Sequence, residues 1–316
     1  MVDRQVWRSA ADIGFFSLRD DGPDMGLPTG TVDAALVALE VGRTLLPGPF
    51  TATMVAAEVL PEVRKGDLIA TAVRRPRRGG ALVEHPASAD VLLVFDTTEL
   101  RLVERRDVSW TAVDFVDPLT PLGVVDDLPG GALVADGEVV GQLHRFRRVL
   151  DAAEQAGLAA RSCAESVRYA QERHQFGRPI GSFQAVKHIL ADMAVDTELA
   201  RAATLYAAGQ HDIASQPEAE RSSFAALLVA EEAATKNAER AIQIWGAMGY
   251  AWETGLHCAL RRAWAISQRA QPRDVAASLA ELLMVAAGER IQPLASAATA
   301  ARDGGVETTS PTKKGM

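Results

Sequence analysis

The sequence predicts an α+β protein, mostly α, built as an N-terminal helical domain, a middle β-barrel or sheet domain and a C-terminal four-helix bundle. Three observations carry that prediction. Helix-start chemistry and helical apolar spacing mark about the first 60 residues. Short β-rich runs between turn residues fill about 66–140. Beyond about 141 the chain is alanine-rich, with apolar positions recurring at helical spacing over tens of residues. The domain limits that follow are 1–62, 63–140 and 141–302, with a Gly-, Thr- and Lys-rich tail at 303–316 expected to be disordered.

In the first domain, Thr31-Val32-Asp33 opens a helix whose apolar positions are Leu36, Leu39 and Val41. The run Leu46-Pro47-Gly48-Pro49-Phe50 ends it, and a second helix from about Thr51 to Val59 leads to Pro61. In the middle domain the predicted strands are Leu68–Val73, Val91–Phe95, Leu100–Val103 and Ala132–Val134, arranged as a small antiparallel sheet or barrel. Gly79-Gly80 and Pro129-Gly130-Gly131 read as turns, since no strand-loop-helix fingerprint surrounds them.

The bundle opens with one long core helix through Leu143, Phe146, Val149, Leu150, Ala153, Ala156, Ala160, Cys163, Ala164 and Val167. Ile189, Leu190, Met193 and Ala200 mark a second. Phe224, Leu227, Leu228, Ala234, Ala238, Ala241 and Trp245 mark a third. Pro272 starts a fourth, with Val275, Leu279, Leu282, Leu283 and Ala286 on its inner side.

Composition narrows the function. A net charge of -8 and pI near 5.4 argue against a nucleic-acid footprint, which needs a basic face. The two cysteines, Cys163 and Cys258, have neither metal-site nor disulfide-framework spacing, which fits a reducing cytosol. The start, Met1 to Trp7, lacks the pattern of a secretory signal, and no run approaches the roughly 18 apolar residues of a membrane span. A cytoplasmic protein is expected.

One segment is dense in chemistry. Between two long helices, Arg173, Gln175, Phe176, Gly177, Arg178 and Pro179 form a turn that can present a guanidinium to a phosphate and an aromatic ring to a planar one; an ordinary interhelical turn has the same composition. The longer string Tyr169-Ala-Gln-Glu-Arg-His-Gln-Phe-Gly-Arg-Pro-Ile, followed by Phe183-Gln-Ala-Val-Lys-His-Ile-Leu-Ala-Asp-Met193, resembles the acyl-CoA dehydrogenase family. Gln243-Ile-Trp-Gly-Ala-Met-Gly-Tyr250 is similar to that family's Gln-x-x-Gly-Gly-x-Gly-Phe turn. The family's succession of helical, β and helical domains also matches the three regions above.

The resemblance implies FAD as cofactor, held mainly by a neighbouring subunit, with Arg173, Gln175, Phe176, Gln184, Gln243 and Gly246 approaching it. Ala247 stands where the family has a second glycine, which admits close backbone approach to the dinucleotide. It further implies oxidation of an acyl-CoA thioester to its 2,3-enoyl form, with an electron-transfer flavoprotein as acceptor. A glutamate must then remove the proton beside the carbonyl.

Family glutamates occur at two places. Early on the long helix this chain reads Leu143-His-Arg-Phe-Arg-Arg-Val149, with arginine where the base aligns. At the late loop it reads Ser267-Gln-Arg-Ala-Gln-Pro272. Neither holds a glutamate. Glu253 is the remaining candidate, and its bland role is a carboxylate that caps the next helix or pairs with Arg261 or Arg262. The middle domain also lacks the family's ring-binding motifs. Arg74, Arg75, Arg77 and Arg78 there fit either the phosphates of coenzyme A or a solvated hairpin. His85, before Pro86, reads as a turn residue.

Retained arm residues with an absent base imply the shorter, non-basic subunit of an α2β2 acyl-CoA dehydrogenase, resembling those of actinobacterial steroid breakdown, with a longer partner that supplies the ring pocket and the glutamate. The alternatives are a self-sufficient homo-oligomer that uses Glu253 and a structural or regulatory subunit.

Overall fold

The computed structural model describes residues 2–19, 29–76, 79–270 and 272–286. The expected tail at 303–316, together with Arg77 and Arg78, lies outside the described residues. The chain opens with α1 (Arg4–Asp12), α2 (Thr31–Thr44), α3 (Phe50–Ala57) and the single turn α4 (Pro61–Arg64). Asp3 starts α1 by accepting from the backbone N–H groups of Gln5 and Val6, which have no helical partner of their own. Trp7 of α1 is fully buried and packs on Phe16 and Phe50, so the segment around Trp7 is itself helical.

The β region forms two sheets. One has the order β1 (Ala70–Arg74), β3 (Val91–Phe95), β4 (Glu99–Glu104) and β7 (Ala132–Asp136); the other is β2 (Ala81–Glu84), β6 (Leu122–Val125) and β5 (Thr111–Val113). The expectation of an antiparallel sheet needs correction, because β1 and β3 pair in parallel, Thr71 opposite Leu92. The parallel pair is possible because β2, between them in sequence, leaves for the second sheet. Every residue of β3 is buried, as a strand covered on both faces must be. Period two divides it: Leu92 and Val94 pack with Val83, Val103 and Val125 of the β region, and Val91, Leu93 and Phe95 join the core shared with the helices.

The helical region comprises α5 (Gly137–Glu172), α6 (Gln184–Ile213), α7 (Gln216–Trp245), α8 (Leu256–Ala270) and α9 (Pro272–Ala286). The sequence reading missed α8 and treated its end, from Ser267, as a loop; the helix ends only at the residue before Gln271-Pro272. On α9, Val275 is buried as expected, but Leu283 is 54% exposed. On α2 the core face is alanine-rich, through Ala34, Ala35 and Ala38, and Leu36 instead points outward.

That choice of small residues fixes how α2 sits on α5. A Cβ on Gly42 would fall 2.0 Å from the carbonyl oxygen of Glu154, and one on Gly157 would fall 2.0 Å from that of Leu39. The two backbones therefore touch, and α5 is held where its first turns face the β region.

Candidate functional site

The arm between α5 and α6 is a small hairpin of β8 (His174–Gln175) and β9 (Arg178–Pro179). Its two-residue loop places both Phe176 (φ 52) and Gly177 (φ 77) in the left-handed region, as tight hairpin loops require. Glycine adopts this freely, whereas a bulky phenylalanine pays strain of about 1–3 kcal/mol. Phe176 gains no core contact in return, for its side chain is 90% exposed. Its ring meets Phe183 edge-on at 6.1 Å, and Arg178 covers the Phe183 face at 4.1 Å. At the base, Arg173 N–H donates to Tyr169 C=O and Ile180 N–H donates to Arg173 C=O. The hairpin is thus rooted in the last turn of α5, and Arg173, Gln175 and Phe176 all project to solvent.

The second motif lies at the same end of the bundle. α7 stops at Trp245, whose ring stacks on Tyr169 with centroids 4.1 Å apart and planes 12° from parallel. Gly246 (φ 60) then turns the chain, and a Cβ added there would meet nothing within 4 Å. The demanding conformation falls on Gly246, so Ala247 in place of glycine strains no backbone. Gln243, Gly246 and Ala247 are exposed, as is Gln184 at the start of α6, whose amide lies 3.2 Å from His188 Nε2. The antiparallel succession of α5, α6 and α7 therefore gathers every sequence-predicted cofactor residue at one open end.

The two places where the family's base was sought meet elsewhere, in a cleft between α5, α8 and β2. Arg147, in the early-helix motif, lies 3.8 Å from Asp151. Arg269, in the late motif, donates to Glu84 at 2.7 Å and reaches Asp151 at 3.4 Å and Glu154 at 3.5 Å. All these side chains are largely withdrawn from water. The cavity left among Pro49, Thr51, Glu84, Arg147, Asp151 and Arg269 amounts to about 10 Å³, against roughly 300–1,000 Å³ for an ordinary ligand pocket. Burial pushes the Asp151 carboxyl up against the pull of Arg147 and Arg269, and it pushes Arg147 down. Burial also opposes the charge on Arg269, but Glu84, Glu154 and Asp151 outweigh it and hold it above its ordinary value.

The network continues inward. Arg262, 1% exposed, joins Asp117 at 2.5 Å and Glu154 at 3.2 Å. Glu154 thus links Arg262 to Arg269, and the β region is bound to α5 and α8 by alternating charge. Of this set the sequence reading had named Arg147, Arg262 and Arg269; it missed Glu84, Asp117, Asp151 and Glu154. A signal existed for two of them: Asp151 and Glu154 fall one and two turns after Arg147, within the mainly apolar stretch of α5.

His85 is no ordinary turn residue. It has a positive φ (50), is 5% exposed, and its pKa is pushed down to about 3, first by burial and then by Arg262 and Arg269. His211, beside Phe146, is likewise pushed down by burial and then by Arg19, to about 4. Both stay neutral in the fold, while the unfolded chain takes up protons near 6.5. Their contribution to stability is therefore full above about pH 6.5 and falls as pH drops toward the folded values, by up to about 1.4 kcal/mol per pH unit for each histidine. Urea midpoints at pH 7 and 5 are expected to diverge less in a His85→Asn/His211→Gln protein. An unchanged slope in that protein would contradict this assignment.

Glu253 sits on a single turn, Trp252–Thr254, and its side chain is exposed. It does not line the cleft. Its suggested partners are engaged otherwise: Arg262 in the buried network, and Arg261 with Val116 C=O and the Trp252 ring. Among the described residues no helix is long and apolar enough to cross a membrane.

Residues 138–270 match the family described as Acyl-CoA dehydrogenase, C-terminal domain. The chain is 32% identical over 280 residues to the acyl-CoA dehydrogenase IpdE2 of Mycobacterium tuberculosis, covering 86% of this chain and 85% of that protein. The fold is similar to that of the Tcur3481-Tcur3483 steroid ACAD G363A variant, with a TM-score of 0.76 at 23% identity, covering 91% of this chain and 90% of that one. It is also similar to a chain of the ChsE4-ChsE5 complex from Mycobacterium tuberculosis, with a TM-score of 0.70 at 23% identity over 88% of each. With the arm and the glycine turn at one end of a helical bundle behind a β region, these likenesses mean that the chain belongs to the acyl-CoA dehydrogenase family, flavoprotein oxidoreductases that act on CH–CH bonds.

Proposed function

We propose that this chain is the non-basic subunit of a heteromeric, FAD-dependent acyl-CoA dehydrogenase, arranged as α2β2, and that it lends its arm to the flavin site of a longer partner. The observation that carries this reading is the closed cleft. Both positions that would hold the base carry arginines locked to carboxylates, and about 10 Å³ of cavity remains between them. Neither a thioester nor a flavin ring fits such a space.

The exposed end of the bundle, by contrast, suits the adenosine diphosphate half of FAD. Arg173 offers a guanidinium for phosphate, Gln175, Gln184 and Gln243 offer amide donors, and Phe176 offers an aromatic face. Gly246, with open space around it, and Ala247 allow backbone to approach. Bound FAD supplies the hydride acceptor, and this chain's residues hold and orient the dinucleotide from outside the reacting centre. The partner supplies the glutamate that takes the α-proton of the acyl-CoA, forming its 2,3-enoyl product, and an electron-transfer flavoprotein takes up the electrons. That one structural neighbour is a steroid ACAD supports a steroid-derived thioester as substrate.

The test is to produce the chain alone and together with a longer acyl-CoA dehydrogenase from the same genome, then measure bound flavin and enoyl-CoA formation. The expected result is flavin and turnover only in the complex. Stoichiometric FAD with turnover by the chain alone sinks the proposal and favours a homo-oligomer with Glu253 as base.

A further inference from the structure

We infer that the Tyr169–Trp245 stack is a positioning device that fixes the two cofactor-facing segments relative to each other. The inference rests on the arm reading above and adds residues to it. Each segment hangs from the end of its own helix, the hairpin from α5 and the glycine turn from α7. This ring pair, at 4.1 Å and 12°, joins those ends directly beside both motifs.

The connections outward from the pair are short and stiff. Tyr169 C=O accepts the N–H of Arg173 at 2.8 Å, and Arg173 C=O accepts that of Ile180 at 2.8 Å. Gly181 closes the hairpin against α5, where an added Cβ would come within 3.0 Å of Ala170 C=O. On the other side, Trp245 is followed at once by Gly246, whose N–H is tied back to the carbonyls of Gln243 and Ile242. Gly249 then packs so closely that a Cβ would lie 2.6 Å from Ile242 C=O. Trp245 Nε1 is buried with no hydrogen-bond partner among the described residues, so the indole is held by apolar packing, on one side against Met193, Ala241 and Leu256 and on the other by the stack on Tyr169. A dinucleotide spanning both segments needs their separation set in advance, because disorder in either is entropy lost on binding. The tyrosine ring, rather than its hydroxyl, performs this task.

The experiment uses the complex purified through a tag on this chain, with FAD as probe, comparing Tyr169→Ala, Tyr169→Leu, Tyr169→Phe and Arg173→Ala. FAD retention on repeated gel filtration and the flavin dissociation constant are measured beside the thermal midpoint. The expected result is about a tenfold weaker FAD affinity for Tyr169→Ala and Tyr169→Leu, with Tyr169→Phe restored to the parent value. The leucine variant keeps an apolar filler in place, so a loss seen there without a lowered midpoint is positional, and it decides the matter if the alanine variant does not fold. Parent-like retention in Tyr169→Leu alongside loss in Arg173→Ala overturns the positioning role and leaves the arm reading standing. Failure of Tyr169→Phe to restore affinity also overturns it. Unchanged retention in Arg173→Ala as well removes the arm reading itself.

Discussion

Replacing Arg262 with alanine is expected to destabilise the fold by about 3–5 kcal/mol, the usual cost of removing one member of a buried ion network. The guanidinium donates to Asp117 through Nε at 2.5 Å, and through Nη1 to Glu154 at 3.2 Å and to Leu46 C=O at 3.4 Å. Its removal leaves two carboxylates in a region from which water is excluded. Asp117 retains Thr120 Oγ1 and the Leu119 N–H as donors, but loses the cation whose attraction and hydrogen bond, together with those two donors, offset the burial that would otherwise raise it. Among the described residues, Glu154 retains only the longer contact to Arg269, at 3.5 Å. Arg262→Lys keeps the charge without the fork and is expected to fall between the two. Urea denaturation followed by circular dichroism gives the values. A change under about 1 kcal/mol for Arg262→Ala would mean that water repairs the site and that the network does not hold α8 to the β region.

Replacing Arg173 with alanine is expected to lower the FAD affinity of the assembled complex by about 10- to 100-fold, the range for a hydrogen bond to a charged group. The side chain lies in the exposed arm and holds up no core, so the thermal midpoint should stay near the parent value. Among the described residues only its backbone is engaged, through Tyr169 and Ile180, and the substitution leaves both of those bonds in place. Arg173→Lys should recover part of the affinity, since a point charge replaces a planar fork. FAD retention equal to the parent's in Arg173→Ala would instead make this chain a structural or regulatory subunit.

The arm and the glycine turn were legible because their residues follow one another in the chain. A hairpin loop needs positive φ at two successive residues, and a helix that stops before Gly246 declares itself locally. The cleft was less legible. Arg147 and Arg269 appeared as absences, two places without a glutamate, with no hint that they meet. Strands β2, β5 and β6 were missed for a related reason: β5 is exposed throughout and β2 and β6 have four residues each, too short to show a period.

By itself, then, the sequence determined the order of helical, β and helical regions, the family, and the residues offered at the open end of the bundle. All of these depend on local spacing and on motifs written in consecutive positions. Only the tertiary structure decided that β1 and β3 run parallel, that Tyr169 lies on Trp245, and that Glu84, Asp151 and Glu154 gather around Arg147, Arg269 and Arg262. Such contacts join residues up to 185 positions apart. Whether a buried arginine is a defect or a lock depends on which carboxylates the fold brings to it, and burial makes that pairing obligatory.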